Sequence, residues 1–174
     1  DGTLIKTYRP PIGKGEEGRL DAVAISPDSN TIACGGWTGY EWHGADSIYL
    51  FDRESGKMVK RIGRHSGNIM HLVYSKDGKH LVACMAGANG IRVYQTADYS
   101  LVKEDRYGDT TMRADFDDEG NLVTISYDKF LRRYDKNFQL VNKIYIPDLR
   151  MPTTVSVSPK GDLIAVGDGY NPKV

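Results

Sequence analysis

Four short turn sequences recur along this chain at nearly even spacing. They read Ser26-Pro27-Asp28-Ser29-Asn30, Ser75-Lys76-Asp77-Gly78-Lys79, Asp117-Asp118-Glu119-Gly120-Asn121 and Ser158-Pro159-Lys160-Gly161-Asp162. With Ser29, Gly78, Gly120 and Gly161 as equivalents, the steps are 49, 42 and 41 residues. A unit of this size cannot bury its own apolar face, so such units must stack. A period of about 40–45 residues suits a four-stranded propeller blade.

The segments around each turn fill in that unit. An alternating apolar strand comes first, as in Ala22-Val23-Ala24-Ile25 and Ile69-Met70-His71-Leu72-Val73-Tyr74. A short buried strand follows the turn, at 31–34, 81–84, 122–125 and 163–166. A third strand ends in an aromatic residue, as in Ile48-Tyr49-Leu50-Phe51-Asp52, Ile91-Arg92-Val93-Tyr94-Gln95 and Leu131-Arg132-Arg133-Tyr134-Asp135. A more polar outer strand completes the unit, as in Lys57-Met58-Val59-Lys60-Arg61-Ile62. Period-2 alternation buries one face of each strand. No stretch between the turns carries helical periodicity. Leu4–Tyr8 reads as the outer strand of a preceding unit, and the last unit stops before its third strand. The expected inventory is four outer, four inner, four second and three third strands. Approximate units fall at 1–18, 19–62, 63–106, 107–146 and 147–174.

The resulting expectation is an all-β fold: a β-propeller of about four blades, or part of a larger one, with one third strand missing. Closed propellers carry about four to eight blades. An incomplete set leaves open edge strands, which invite self-association. The chain opens Asp1-Gly2-Thr3 without an initiator Met, which suggests a segment of a longer protein.

The units resemble WD repeats. Phe51-Asp52, Tyr94-Gln95 and Tyr134-Asp135 stand where that family has Trp-Asp, and Gly63-Arg64-His65 looks like a loosened Gly-His element. Asp128 lies seven residues before Asp135, as the family's structural Asp does; Ala45 and Ala88 hold that place in the other units. The Trp never appears, so the repeats are degenerate. Arg9-Pro10-Pro11-Ile12-Gly13, Gly18-Arg19-Leu20, Gly35-Gly36-Trp37-Thr38-Gly39-Tyr40-Glu41-Trp42 and Asn89-Gly90-Ile91-Arg92-Val93-Tyr94 also resemble the WD-repeat regions of bacterial proteins that carry a caspase-like (peptidase C14) domain. That resemblance implies a targeting or regulatory module, not a protease.

Charge narrows the partners. Lys plus Arg and Asp plus Glu number 23 each, which gives neither the basic footprint of a nucleic-acid binder nor a polybasic membrane anchor. No apolar run approaches the roughly 18 residues of a membrane span. A protein or peptide partner, or another domain of the parent, is therefore expected, and a cytoplasmic setting is favoured.

Several short motifs mimic chemistry. Ala33-Cys34-Gly35-Gly36 resembles the end of a caspase nucleophile motif, but Ile32 replaces Gln and no His precedes His43. Cys34 and Cys84 both follow Ala on a second strand, so they read as equivalent small core residues, too far apart to pair. Gly13-Lys14-Gly15-Glu16-Glu17-Gly18 fits GxGxxG, yet it joins two strands and its glutamates repel phosphate. Asp115–Gly120 resembles the start of a calcium loop, but Ser126 stands where a bidentate Glu is needed. His43, His65, His71 and His80 lack zinc-ligand spacing with either cysteine. No catalytic residue, metal or cofactor is assigned.

The break in the repeat is the functional candidate. Seven or eight extra residues lie at Trp37–Ala45, in a loop expected on the same face as the outer-to-inner loops. Large rigid aromatics in a surface loop are common interface anchors. Trp37, Tyr40, Glu41, Trp42 and His43, with Arg64, Tyr107, Arg150 and Tyr170 from loops on that face, form the expected interaction surface. The competing expectation is that these aromatics fold back to seal the blade. Two other functions stay open: a propeller hydrolase or lyase with its site at the channel mouth, and a purely structural module that mediates self-assembly.

Overall fold

The computed structural model describes residues 1–10, 18–39 and 45–170. These contain fourteen strands: β1 (Arg19–Ile25), β2 (Thr31–Trp37), β3 (Asp46–Asp52), β4 (Met58–His65), β5 (Ile69–Tyr74), β6 (His80–Met85), β7 (Ile91–Gln95), β8 (Leu101–Asp105), β9 (Thr111–Phe116), β10 (Leu122–Ser126), β11 (Phe130–Tyr134), β12 (Leu140–Tyr145), β13 (Pro152–Val157) and β14 (Ile164–Asp168). A single 3-10 turn at Gly87–Asn89 is the one helical element among them. Strands β1–β4, β5–β8 and β9–β12 form three antiparallel four-stranded meanders, and β13–β14 form a two-stranded sheet. All-β blades of about four strands are thus what the repeat folds into.

The recurring turn owes its shape to one device. Ser26, Ser75 and Ser158 each accept, on the side-chain oxygen, the N–H that opens the next strand, from Thr31 (2.9 Å), His80 (2.9 Å) and Leu163 (3.0 Å). The third turn has Asp117 there instead, whose carboxylate accepts the N–H of both Glu119 (3.0 Å) and Asn121 (2.8 Å). These side chains hold the backbone where no ladder bond reaches. The fourth turn residue takes positive φ in all four: Ser29 (61°), Gly78 (73°), Gly120 (85°) and Gly161 (72°). Gly161 has a second constraint, since a Cβ there would lie 2.6 Å from Asp117 Oδ2.

The sheets stack in sequence order. Between the first two lie Ala33, Ile48 and Leu50 against Leu72, Leu81 and Tyr94. Between the second and third, Val82, Cys84 and Val93 meet Phe116, Leu122 and Tyr134. Between the third and fourth, Val123, Ile125 and Leu131 meet Val155 and Val157. Asp115 ties the last two sheets together, since one carboxylate oxygen accepts Val157 N–H (2.9 Å) and Ser156 Oγ–H (3.1 Å).

Two expectations are corrected here. Leu4–Tyr8 is not a strand: residues 1–10 carry no regular structure, and Leu4 and Ile5 are exposed. Among the described residues no strand pairs with it, so it joins no ladder. Tyr8 instead lays its ring edge-on against Phe51, 5.9 Å between centroids, and donates its hydroxyl to Arg53 O (2.8 Å). The two cysteines are not equivalent either. Cys34 pairs with Val23 and Cys84 with His71. Counted from the turn, Cys34 matches Ala83, and Cys84 lies one residue further on. One residue in a strand reverses the face. Cys84 therefore packs between the second and third sheets, while Cys34 packs with Tyr49 and Phe51 on the outer side of the first.

Candidate functional site

The loops β2–β3, β4–β5, β6–β7, β8–β9 and β10–β11 gather at one end of the sheets. Hydrogen bonds link the last four in a chain: Ser66 Oγ donates to Asn89 (2.8 Å), Gly87 N–H to Thr110 Oγ1 (2.9 Å), and Gly108 N–H to Asp128 (3.1 Å). Arg150 and Met151 N–H groups are fixed at the same end by the Asp168 carboxylate, at 2.6 and 3.0 Å.

The inserted loop is anchored firmly where it leaves the sheet. Thr38 N–H donates to Asp46 Oδ1 (2.7 Å), Ser47 N–H donates to Thr38 Oγ1 (2.6 Å), and Thr38 Oγ1–H donates to Ser47 O (3.1 Å). Thr38, Asp46 and Ser47 are all buried. Burial pushes the Asp46 carboxyl above the usual range, against the lowering effect of the Thr38 and Gly39 N–H groups. Trp37, just before this clamp, is 45% exposed, with the Arg19 guanidinium 5.4 Å from its ring centre. Arg64 is exposed at positive φ (69°), beside a depression of about 470 Å³ that Ala45, Ser47, Arg61 and Gly63 help line. Arg150 stacks over Tyr170 at 5.9 Å, and both are exposed. Tyr40, Glu41, Trp42 and His43 lie outside the described residues, as does Gly13–Glu17 of the GxGxxG sequence.

Tyr107 is the site residue the structure overturns. It is 6% exposed and belongs to the core between the second and third sheets. Its hydroxyl lies 2.9 Å from Thr124 Oγ1 and 2.8 Å from the Tyr134 hydroxyl, which donates to Asp105 Oδ2 (2.7 Å). An ionised carboxylate only accepts, so Tyr134 spends its proton on Asp105 and Tyr107 donates to Tyr134, which leaves Thr124 as donor to Tyr107. Arg132 stacks on the Tyr107 ring at 3.8 Å and, itself 3% exposed, donates to Asp128 from Nη1 (3.1 Å). Burial alone would raise the Asp128 carboxyl; hydrogen bonds from Arg132, Ser126 and the Phe130 and Gly108 N–H groups outweigh it and hold it at about 2. Asp128 is therefore a structural residue that fastens two loops.

His65 occupies the corresponding place one sheet earlier. It is buried, with Nδ1 3.0 Å from Asp46 O and Nε2 2.7 Å from the Tyr94 hydroxyl. A carbonyl only accepts, so Nδ1 carries the proton and Nε2 accepts from Tyr94. Burial, with a further push from Arg92, lowers the His65 pKa to about 4. His71 is lowered to about 4 as well, by burial first and then by Arg113. A histidine held neutral in the fold while the unfolded chain binds its proton loses stability as pH falls. Urea stability is thus expected to be full above pH ~6.5, and to decline as pH drops toward about 4. His65→Gln should flatten part of that slope. An unchanged slope in the variant would show that His65 titrates as it does in the unfolded chain.

The tempting chemistry resolves into structure. Burial raises the Cys34 thiol to about 11 and the Cys84 thiol further still, which disfavours the nucleophilic thiolate. Asp117 is used by its own turn. His80 packs edge-on against Phe138 at 4.8 Å. Among the described residues no three His, Cys, Asp or Glu side chains gather as metal ligands. No helix among them is long and apolar enough to cross a membrane.

Two features of this end were not legible in sequence: Arg19 as the partner of Trp37, and the Thr38–Asp46–Ser47 clamp. A Thr and an Asp flanking an insertion are the faint signal for the clamp.

Residues 56–95 match the family model of the WD domain, G-beta repeat. The match runs from the turn before β4 through β7, so it joins the outer strand of one sheet to three strands of the next. With the same strand layout repeated before and after the matched stretch, this all-β chain has the architecture of a WD-repeat β-propeller of about four blades.

Proposed function

We propose that the chain is a non-catalytic protein- or peptide-binding scaffold, with its contact surface at the loop end marked by Trp37. The observation that carries this reading is the exposed Trp37 ring, backed by Arg19 and set directly before a buried polar clamp. A rigidly anchored, partly exposed Trp offers large contact area at little entropic cost. WD repeats generally act as protein-interaction scaffolds, in keeping with this. Arg64, and Arg150 and Tyr170 on the fourth sheet, are the further polar and aromatic contacts of this reading, together with Tyr40, Glu41, Trp42 and His43, which follow Trp37 in the sequence. The likeness to WD-repeat regions of bacterial caspase-like proteins makes a targeting or regulatory role within a longer cytoplasmic protein the specific form of this proposal. Replacing Trp37 and Trp42 together by Ala should cut partner capture at least tenfold, about the loss of one hot spot, while urea unfolding stays cooperative. Unchanged capture overturns the assignment.

Self-assembly is the second reading. Val23 and Ile25 are 67% and 58% exposed on the first sheet. They match, by register, Leu72 and Tyr74, which pack against a neighbouring sheet. Light scattering that gives a monomer mass at micromolar concentration rules it out.

A further inference from the structure

The inner strands β5, β9 and β13 together wall a cavity of about 330 Å³. His71, Arg113 and Asp115 line it, with Ala114 and Val155 beside them. Each inner strand spends one edge on its own sheet, and its other edge carries N–H groups that no ladder uses. Side chains of the preceding sheet accept some of these. Ala114 N–H donates to His71 Nδ1 (3.4 Å), and Val157 N–H to Asp115 Oδ2 (2.9 Å).

The device fails at one place. By ladder register Arg113 is the equivalent of His71, and Val155 the equivalent of Ala114. A guanidinium carries donors only. Arg113 therefore cannot do for Val155 what His71 does for Ala114. Val155 N–H points the same way as Val157 N–H, two residues on, and is left without that acceptor. Arg113 itself forms no hydrogen bond or ion pair among the described residues. The nearby carboxylate is already taken: Asp115 Oδ1 accepts Phe116 N–H (2.9 Å), and Oδ2 accepts Ser156 Oγ–H (3.1 Å) besides Val157 N–H. In His71, Nδ1 accepts from Ala114, so the neutral ring carries its proton on Nε2 as a further donor.

Three donors and no spare acceptor thus border one cavity. We propose that it binds a small organic carboxylate as a free monoanion. The flat fork of Arg113 matches the two oxygens of a carboxylate. Val155 N–H adds a fixed backbone donor, and His71 a neutral one. Arg113 supplies a single positive charge, and Asp115 keeps its negative charge two residues along the strand, which disfavours a dianion such as hydrogen phosphate. Val155 is buried at the cavity floor, within reach of a compact free acid. This site is independent of the Trp37 surface.

Acetate is the probe, titrated at fixed ionic strength into the isotope-labelled chain, with amide resonances read by NMR. The Val155 amide should shift saturably in the millimolar range, while the Val157 amide, already bonded to Asp115, stays nearly still. Arg113 is exposed, so Arg113→Gln should unfold in urea as the parent does. That variant should bind acetate roughly tenfold more weakly or worse, the usual effect of losing a hydrogen bond to a charged group. Arg113→Lys should fall between the two. A Val155 amide that does not move, moves without saturating, or moves equally in Arg113→Gln overturns the proposal. Hydrogen phosphate binding as tightly as acetate overturns the monoanion assignment. A blocked glutamyl tripeptide that binds about tenfold tighter than acetate overturns the free acid as occupant and gives the cavity to a partner's side chain.

Discussion

Replacing Asp128 by Ala should destabilise the chain by about 3–5 kcal/mol, the usual cost of stranding one partner of a buried ion pair. Arg132 is the partner left behind. Its guanidinium is buried between the Tyr107 ring and the Asp128 carboxylate, so it cannot turn to water when the carboxylate goes. The same substitution frees the N–H groups of Gly108 and Phe130, which tie the loop before β9 to the loop before β11. Asp128→Asn keeps an acceptor for those groups and should cost less. Urea denaturation of the three proteins gives the comparison. A loss below about 1 kcal/mol, the range of exposed pairs, would mean that Arg132 is solvated.

The sign with pH is fixed by the depressed carboxyl. A group held at about 2 in the fold, against about 3.9 in the unfolded chain, stabilises fully above the higher value. That contribution fades as pH falls through the lower one. The wild-type chain should therefore lose stability between about pH 4 and 2 more steeply than Asp128→Ala.

Tyr134 is the second large case. It is fully buried between the second and third sheets, and its hydroxyl stands mid-chain in the relay from Thr124 to Asp105. Tyr134→Ala should cost about 3–5 kcal/mol through the cavity it leaves. Tyr134→Phe keeps the ring and removes the hydroxyl, stranding Tyr107, and should cost about 1–3 kcal/mol. Equal losses in the two variants would show that the relay, not the ring, carries the stability of this interface. A loss in Tyr134→Phe near zero would show that Tyr107 finds another acceptor.

The pair Tyr107 and Trp37 shows where sequence reading stops. Both are aromatic residues near strand ends, and both were expected on the interaction face. Loop position is written in sequence; depth is not. Tyr107 is buried because the second and third sheets close over it and Arg132 caps its ring. Trp37 lies at the end of β2, and Arg19 covers only part of it. The cysteines make the same point within the sheet. Both follow Ala, yet the ladder sets them one residue apart and so on opposite faces.

The turns, the strand alternation and the roughly 42-residue step are local properties, fixed by side-chain hydrogen bonds, positive φ and period-2 patterning over a few neighbouring residues. Those by themselves determined an all-β stack of four-stranded units and marked Trp37–Ala45 as the break in it. Register, burial depth and hydrogen-bond partners depend on what packs from the next sheet, tens of residues away. Only the tertiary structure could turn Tyr107 and Asp128 into one buried network and set Cys34 and Cys84 on opposite faces of their sheets.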